Sequence, residues 1–231
     1  MKAVIINGQN HKGTTNHLAH ILTDKLQCEV TEFFLPKDLK DFCVGCTNCI
    51  GKGEDKCPHR AQVEPIVNAI DDADLIILAS PVYVYHATAP MKNLLDHLAY
   101  RWASHRPEGK MYKKQSVCIS TAAGAGMKST NKDMADSLYY WGVGRVYQYG
   151  VAVAAVSWEG VNDKKKASID KALTNLAKKI KAREGKVTPS IKTKSIFTLM
   201  RMVQAKWPWN PVDVEHWKSN GWLGKERPWK Q

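Results

Sequence analysis

Four of the six cysteines, Cys43, Cys46, Cys49 and Cys57, fall within 15 residues as a C-x2-C-x2-C-x7-C run. Thiolates two residues apart can reach three irons of one [4Fe-4S] cube, and a fourth cysteine completes the set. Zinc suits the spacing less, because its four-cysteine sites bring two C-x2-C pairs together from separate knuckles. A metal-free loop and a redox disulfide are the other readings of the same residues. The remaining cysteines, Cys28 and Cys118, stand alone in strand-like segments and read as ordinary buried thiols.

A second stretch able to do chemistry opens the chain. The apolar run Ala3-Val4-Ile5-Ile6 leads straight into Asn7-Gly8-Gln9-Asn10-His11-Lys12-Gly13-Thr14-Thr15. Leu18, Ala19, Ile21, Leu22 and Leu26 then follow at helical spacing over residues 16–26, so the loop's backbone amides gather at a helix N-terminus, where an anion is favoured. Gly8 and Gly13 have the glycine spacing of an ATP-binding loop, but Thr14-Thr15 stand where that motif needs Lys and then Ser or Thr. Asn10 occupies the second glycine position of the dinucleotide fingerprint. A terminal monophosphate held by amides and threonine hydroxyls fits what remains, as does a capped turn with no ligand.

These residues need elements to position them. Residues 28–34 read as a second, edge strand. Residues 63–70 read as a helix, with Pro65 tolerable in its first turn. The continuous apolar run at 74–79 suits a central parallel strand buried on both faces. It opens into Ser80-Pro81-Val82-Tyr83-Val84-Tyr85-His86 ahead of a helix over about 90–101. A fourth strand at 117–120 empties into Thr121-Ala122-Ala123-Gly124-Ala125-Gly126, a helix follows around 132–141, residues 146–156 contain a fifth strand, and 164–183 form a long helix. Five alternations of strand and helix predict an α/β fold: a doubly wound, five-stranded parallel sheet in the order 2-1-3-4-5. Its ligand belongs at the carboxyl ends of strands one, three and four, where the Gly8, Pro81 and Thr121 loops lie.

The division expected is a domain over residues 1–185, carrying the cysteine loop at 43–57, and an extension over 186–231. The extension contains a predicted amphipathic helix at 191–205, with Lys192, Lys194 and Arg201 on its polar side, and five of the eight tryptophans, Trp207, Trp209, Trp217, Trp222 and Trp229. So many indoles predict that it wraps over the domain or a second subunit, where it would be able to line the active site, rather than lying on a membrane. Residues 1–100 hold 9 Lys and Arg against 12 Asp and Glu, while residues 101–231 hold 25 against 10. The basic second half suits anionic partners or a solvated surface. The run at residues 3–6 is too short for a signal peptide and no segment reaches membrane-spanning length, so a cytoplasmic protein without stable membrane insertion is expected. No nucleic-acid motif is present.

Three motifs together resemble the NAD(P)H-dependent FMN reductase and iron-sulfur flavoprotein family of the flavodoxin-like fold. They are the Gly8...Gly13-Thr14-Thr15 loop, the Cys43-Val44-Gly45-Cys46-Thr47-Asn48-Cys49 run with Cys57-Pro58, and Ser80-Pro81-Val82-Tyr83 followed by Met91-Lys92-Asn93-Leu94-Leu95-Asp96. The last is the most specific, and the resemblance covers residues 1 to about 184. It implies that Gln9, His11, Lys12, Thr14 and Thr15 hold the FMN phosphate, that Pro81, Val82 and Tyr83 flank the isoalloxazine ring, and that Thr121, Ala122, Ala123 and Gly124 address its pyrimidine edge. Gln9, His11, Thr14 and His97 depart from the family's usual Ser, Arg, Asn and Arg, which puts the strength of phosphate binding in question. In relatives a compact run like Cys43, Cys46, Cys49 and Cys57 carries a [4Fe-4S] cluster or lies metal-free beside the flavin.

The activity implied is an FMN-dependent oxidoreductase: NAD(P)H delivers a hydride to flavin N5, and electrons leave to a quinone, nitro or azo compound, another flavin or a redox protein. The alternative is a non-enzymatic iron-sulfur flavoprotein electron carrier. No side chain stands out as a general acid or base, in keeping with chemistry carried by the cofactor. A homo-oligomer, dimer or tetramer, is implied as well.

Overall fold

The computed structural model describes residues 1–155 and 157–230. Five strands, β1 (Lys2–Asn7), β2 (Glu29–Phe34), β3 (Leu75–Pro81), β4 (Gln115–Ala122) and β5 (Arg145–Ala152), form one sheet in the order β2-β1-β3-β4-β5, every neighbouring pair parallel. This is the flavodoxin-like order, with β2 at an edge as its partial alternation predicts. The last residue of the predicted fifth strand, Val156, lies outside the described residues.

Helices cover both faces, and the period-two rule decides which residue meets which. Val4, Ile6, Ile76, Leu78 and Cys118 point to one side, against Val63, Ile66 and Ile70 of α3 (Arg60–Asp72), Met91, Leu94 and Leu95 of α4 (Ala89–His97), and Met134 and Leu138 of α5 (Met127–Tyr140). Ala3, Ile5, Leu75, Ile77, Val117 and Ile119 point to the other, against Leu18 and Leu22 of α1 (Thr14–Leu26) and Ile169, Leu173 and Ile180 of α6 (Asp163–Lys181). Cys118 is fully buried, and burial pushes its thiol up from its ordinary value.

Two boundaries differ from expectation. Because α3 begins at Arg60, Pro65 falls in its second turn and removes the donor to the Ala61 carbonyl. Both residues are exposed, so the freed carbonyl is open to solvent. Helix α5 begins at Met127, several residues before the predicted start, after a Gly126 N-cap with φ +95° and no side-chain cap.

A short helix, α2 (Asn48–Gly51), lies in the cysteine segment. The extension contains α7 (Ile191–Lys206) and α8 (Pro211–Ser219). Phe197, Trp217 and Trp222 are fully buried around Tyr112, just ahead of the amino end of β4, with Trp229 packed against them. The indole cluster therefore sits at the amino end of β4, whereas the three ligand-ready loops lie at the strands' carboxyl ends. Helix α7 departs from a simple amphipathic pattern: Thr193, Phe197 and Gln204 face inward while Ile191, Leu199 and Met202 are exposed.

The Tyr112 hydroxyl is buried without a partner, and burial pushes its pKa well up from the ordinary tyrosine value. Its removal leaves the aromatic packing in place, so Tyr112→Phe is expected to be neutral or to stabilise by about 1 kcal/mol. A urea denaturation series measures this, and a loss of stability would reveal a partner for the hydroxyl.

Candidate functional site

The Gly8, Pro81 and Thr121 loops are tied into one triangle. Thr15 Oγ1 lies 2.6 Å from Thr121 Oγ1, joining the first loop to the third. Val82 N donates to Thr121 O at 2.9 Å, joining the second to the third. Thr88, the N-cap of α4, donates through Oγ1 to Gly8 O at 2.5 Å and accepts from Met91 N, and its backbone N–H donates to Ser80 Oγ at 3.1 Å. Gly8 is required for this approach: a Cβ there would stand 2.5 Å from Thr88 Oγ1. Sequence reading missed Thr88, because its role in closing the triangle is a contact across 80 residues.

In the first loop Gln9 is buried and its Nε2 donates to His11 O at 3.1 Å, while His11 and Lys12 are exposed. Thr14 and Thr15 are buried in the first turn of α1. The first helical bond runs from His17 N to Gly13 O at 3.0 Å, so the amides of Thr14, Thr15 and Asn16 precede the ladder. Thr14 Oγ1 is buried with no partner. An orphaned hydroxyl among free helix-start amides fits a phosphate oxygen. The loop is buttressed by Asn7, Asn16 and Glu32: Asn16 Nδ2 donates to Glu32 Oε1 at 2.6 Å and to Asn7 Oδ1 at 3.1 Å.

In the second loop Pro81 and Val82 are half-buried and Tyr83 is exposed. Val84 and Tyr85 adopt φ of 50° and 65°, a left-handed pair closed by a bridge between Tyr83 and His86. Hairpin turns of this form favour Asn-Gly, and a β-branched residue there is strained. Neighbours hold it in place: Ser129 Oγ donates to Tyr85 O, His86 Nδ1 lies 3.0 Å from Asp133 Oδ2, and the carboxylate also accepts from Ala87 N at 3.0 Å. Gly126 admits Val82, since a Cβ would come within 2.6 Å of Val82 Cγ1. Strain of this kind persists only where the surroundings hold it, as these ties do. In the third loop Thr121 is buried, Ala122 is half-buried, and Ala123 and Gly124 are exposed. A Cβ on Gly124 would meet open space. The triangle thus faces solvent with apolar and aromatic surface on one side and small residues on the other, which fits a planar ring.

The cysteine segment lies after β2. Cys43 and Cys46 are exposed, Cys49 and Cys57 half-buried, and all are free thiols. Burial pushes the Cys49 thiol up, and Cys57, Cys43 and Cys46 push it further, while Arg106 opposes them. The donor chemistry suits a cluster, and Cys49 feels the other three cysteines. Among the described residues, however, no three His, Cys, Asp or Glu side chains are gathered at ligating geometry. Asn93, from the Met91-to-Asp96 motif, accepts from Cys43 N at 2.9 Å and donates to Asp41 O at 3.0 Å. His97 donates through Nδ1 to Asn93 O at 2.9 Å, leaving Nε2 to accept from His59 at 3.0 Å. Beside the segment is a cavity of about 420 Å³ lined by Cys57, Arg60, Tyr100, Arg101, Arg106 and His216.

Other residues take structural places. His17 stacks on Trp158 at 4.4 Å, Trp102 on Tyr140 at 4.2 Å, and Trp141 is buried in the core. No helix among the described residues is long and apolar enough to cross a membrane.

The fold has counterparts among known proteins. The chain is 32% identical over 174 residues, 73% of its own length and 76% of the relative's, to an iron-sulfur flavoprotein of Archaeoglobus fulgidus. It is 42% identical over 64 residues, 28% of the chain and 30% of the relative, to an NADPH:quinone oxidoreductase of Arabidopsis thaliana. The solved apo structure of an NADH:FMN oxidoreductase superposes with a TM-score of 0.55 at 18% identity, over 78% of this chain and 89% of that one, a likeness of fold. Residues 1–157, which include all three loops and the cysteine segment, match the NADPH-dependent FMN reductase family, and the chain belongs to it as an NAD(P)H-dependent FMN oxidoreductase.

Proposed function

We propose that the triangle of loops holds FMN and that the chain passes electrons from NAD(P)H to a quinone or a similar small acceptor. The observation that carries the reading is the mutual tying of the three carboxyl-end loops through Thr15, Thr121, Val82 and Thr88, with the unpartnered Thr14 hydroxyl beneath them. The amides that open α1, with the Thr14 and Thr15 hydroxyls, would hold the phosphate. Gln9 shapes the loop by bonding His11 O, while His11 and Lys12 stand at the solvent edge and supply positive charge. Pro81, Val82 and Tyr83 would cover the ring, and the backbone of residues 121–124 would face its polar edge. When bound, the flavin supplies the redox chemistry by accepting a hydride from NAD(P)H and returning electrons to the acceptor. The quinone reductase among the relatives favours a quinone. Steady-state oxidation of NADH and NADPH with a soluble quinone tests the reading, and absence of turnover by flavin-loaded protein would leave an electron carrier instead.

One observation favours a second component. The Archaeoglobus relative is named an iron-sulfur flavoprotein, and this chain has four free thiols within 15 residues of sequence. Cys43, Cys46, Cys49 and Cys57 would be the ligands of a [4Fe-4S] cluster, which would let electrons leave singly. Iron and acid-labile sulfide, assayed on protein purified without oxygen, should then reach about four of each per chain. Metal-free protein would leave the segment as a thiol loop. In the same reading residues 1–185 form the redox domain, residues 186–231 are its extension, and the protein works as a dimer or tetramer in the cytoplasm.

A further inference from the structure

The cysteine segment is pinned at two places, and one pin comes from the far end of the chain. Asn93 holds the backbone at Asp41 and Cys43. The other pin is centred on Arg106, which is 7% exposed. Its Nη2 donates to Cys49 O and, at 3.3 Å, to Glu54 Oε2; its Nη1 donates to Ile50 O at 3.1 Å and to Asp213 Oδ1. Asp213, in α8, is fully buried and also accepts from His105 Nδ1 at 2.8 Å and Asn210 Nδ2 at 2.9 Å. Asn210 Nδ2 reaches Ile50 O as well, at 2.9 Å. Two donors, from loop and extension, thus converge on one carbonyl beside Cys49. Between the pins residues 44–47 are exposed.

We propose that the node of Arg106, Asp213 and Asn210 is a clasp by which the C-terminal extension positions Cys49. A guanidinium offers donors in a rigid fork, so fixing Arg106 fixes the two successive carbonyls of Cys49 and Ile50 and with them the direction of the thiol. Docking alone does not need this arrangement. The extension already packs through Phe197, Trp217 and Trp222, and burying a carboxylate and a guanidinium is a poorer route to stability than apolar packing of the same volume. Arg106 and Asp213 are positioning residues, acting through the backbone of the segment. The value of the clasp to electron transfer rests on the reading that these thiols take part in it; the clasp itself rests only on the contacts of Arg106, Asp213 and Asn210 with the Cys49 and Ile50 carbonyls.

The test is the rate at which iodoacetamide modifies each cysteine of the full-length protein, resolved by peptide mass spectrometry, in the original chain, Asn210→Ala, Asp213→Asn and Arg106→Lys. Modification of Cys49 is expected to rise by about tenfold or more in each variant, because the freed segment exposes a half-buried thiol. Cys118, buried in β4, should stay protected and so report an intact fold. Arg106→Lys keeps the charge and loses the fork, so it separates positioning from simple charge attraction. Cys49 rates within about twofold of the original in Asn210→Ala and Arg106→Lys would overturn the clasp, as would a parallel rise at Cys118, which would make the node a stabiliser of the whole fold. Iron and sulfide assayed on the same samples report separately on the cluster: metal-free protein with a clasp-dependent Cys49 rate removes the cluster and leaves the clasp.

Discussion

Replacing Phe197 with alanine is expected to lower the free energy of unfolding by about 3–5 kcal/mol. The side chain is fully buried at the centre of an aromatic cluster, with ring centroids 5.0 Å from Trp217, 5.1 Å from Trp229, 5.5 Å from Tyr112 and 5.7 Å from Trp222. Three of those partners belong to the extension and one to the sheet domain, so the cavity opens at the joint between them. Indoles are too large and rigid to collapse into such a space, which places the cost toward the upper part of the range. The same change should raise proteolysis near residues 186–190. Urea denaturation followed by tryptophan fluorescence measures the loss. A cost under about 1 kcal/mol would mean that the extension is held chiefly elsewhere, by the polar node at Asp213.

The second large effect is on ligand binding and should leave the fold intact. Thr14→Val removes a buried hydroxyl that has no partner in the free protein. The ligand-free variant is therefore expected to be as stable as the original chain or slightly more so. If the hydroxyl meets the FMN phosphate, its removal forfeits a charge-assisted hydrogen bond of about 1.5–3 kcal/mol and weakens FMN binding about 10- to 100-fold. Thr14→Ser keeps the hydroxyl and should restore most of the affinity. Quenching of FMN fluorescence reads the dissociation constant for all three proteins. Equal affinity in Thr14→Val would take Thr14 out of the phosphate site.

The parts of this molecule legible in its sequence are those fixed by short-range pattern. Continuous apolar runs announced the central strands because each is buried on both faces, and the Gly8 to Thr15 stretch announced a strand-loop-helix joint. Boundaries were less legible where the usual signal was absent. Gly126 caps α5 without a side chain, so nothing in the residue types marked its start, and Pro65 suggested a first turn that the structure makes a second. The outward Leu199 and Met202 of α7 defeat a simple amphipathic reading. Least legible were the contacts across the chain. Arg106 and Asp213 are 107 residues apart and Thr88 and Gly8 are 80, and no spacing rule connects either pair. Asn93 lay inside a recognised motif, yet its bonds to the cysteine segment could be found only from the fold.

If FMN sits on the three tied loops, a nicotinamide should reduce it there. The most direct measurement is the visible absorption spectrum of full-length protein equilibrated with FMN, freed of excess by gel filtration, and then mixed with NADPH or NADH without oxygen. Resolved flavin bands should stay with the protein and bleach on addition of the nicotinamide, with retention of flavin reduced in Thr14→Val. A protein that emerges colourless after exposure to excess FMN, or that retains flavin equally well in Thr14→Val and in a Tyr83→Ala, Thr121→Val double variant, would contradict this placement of FMN.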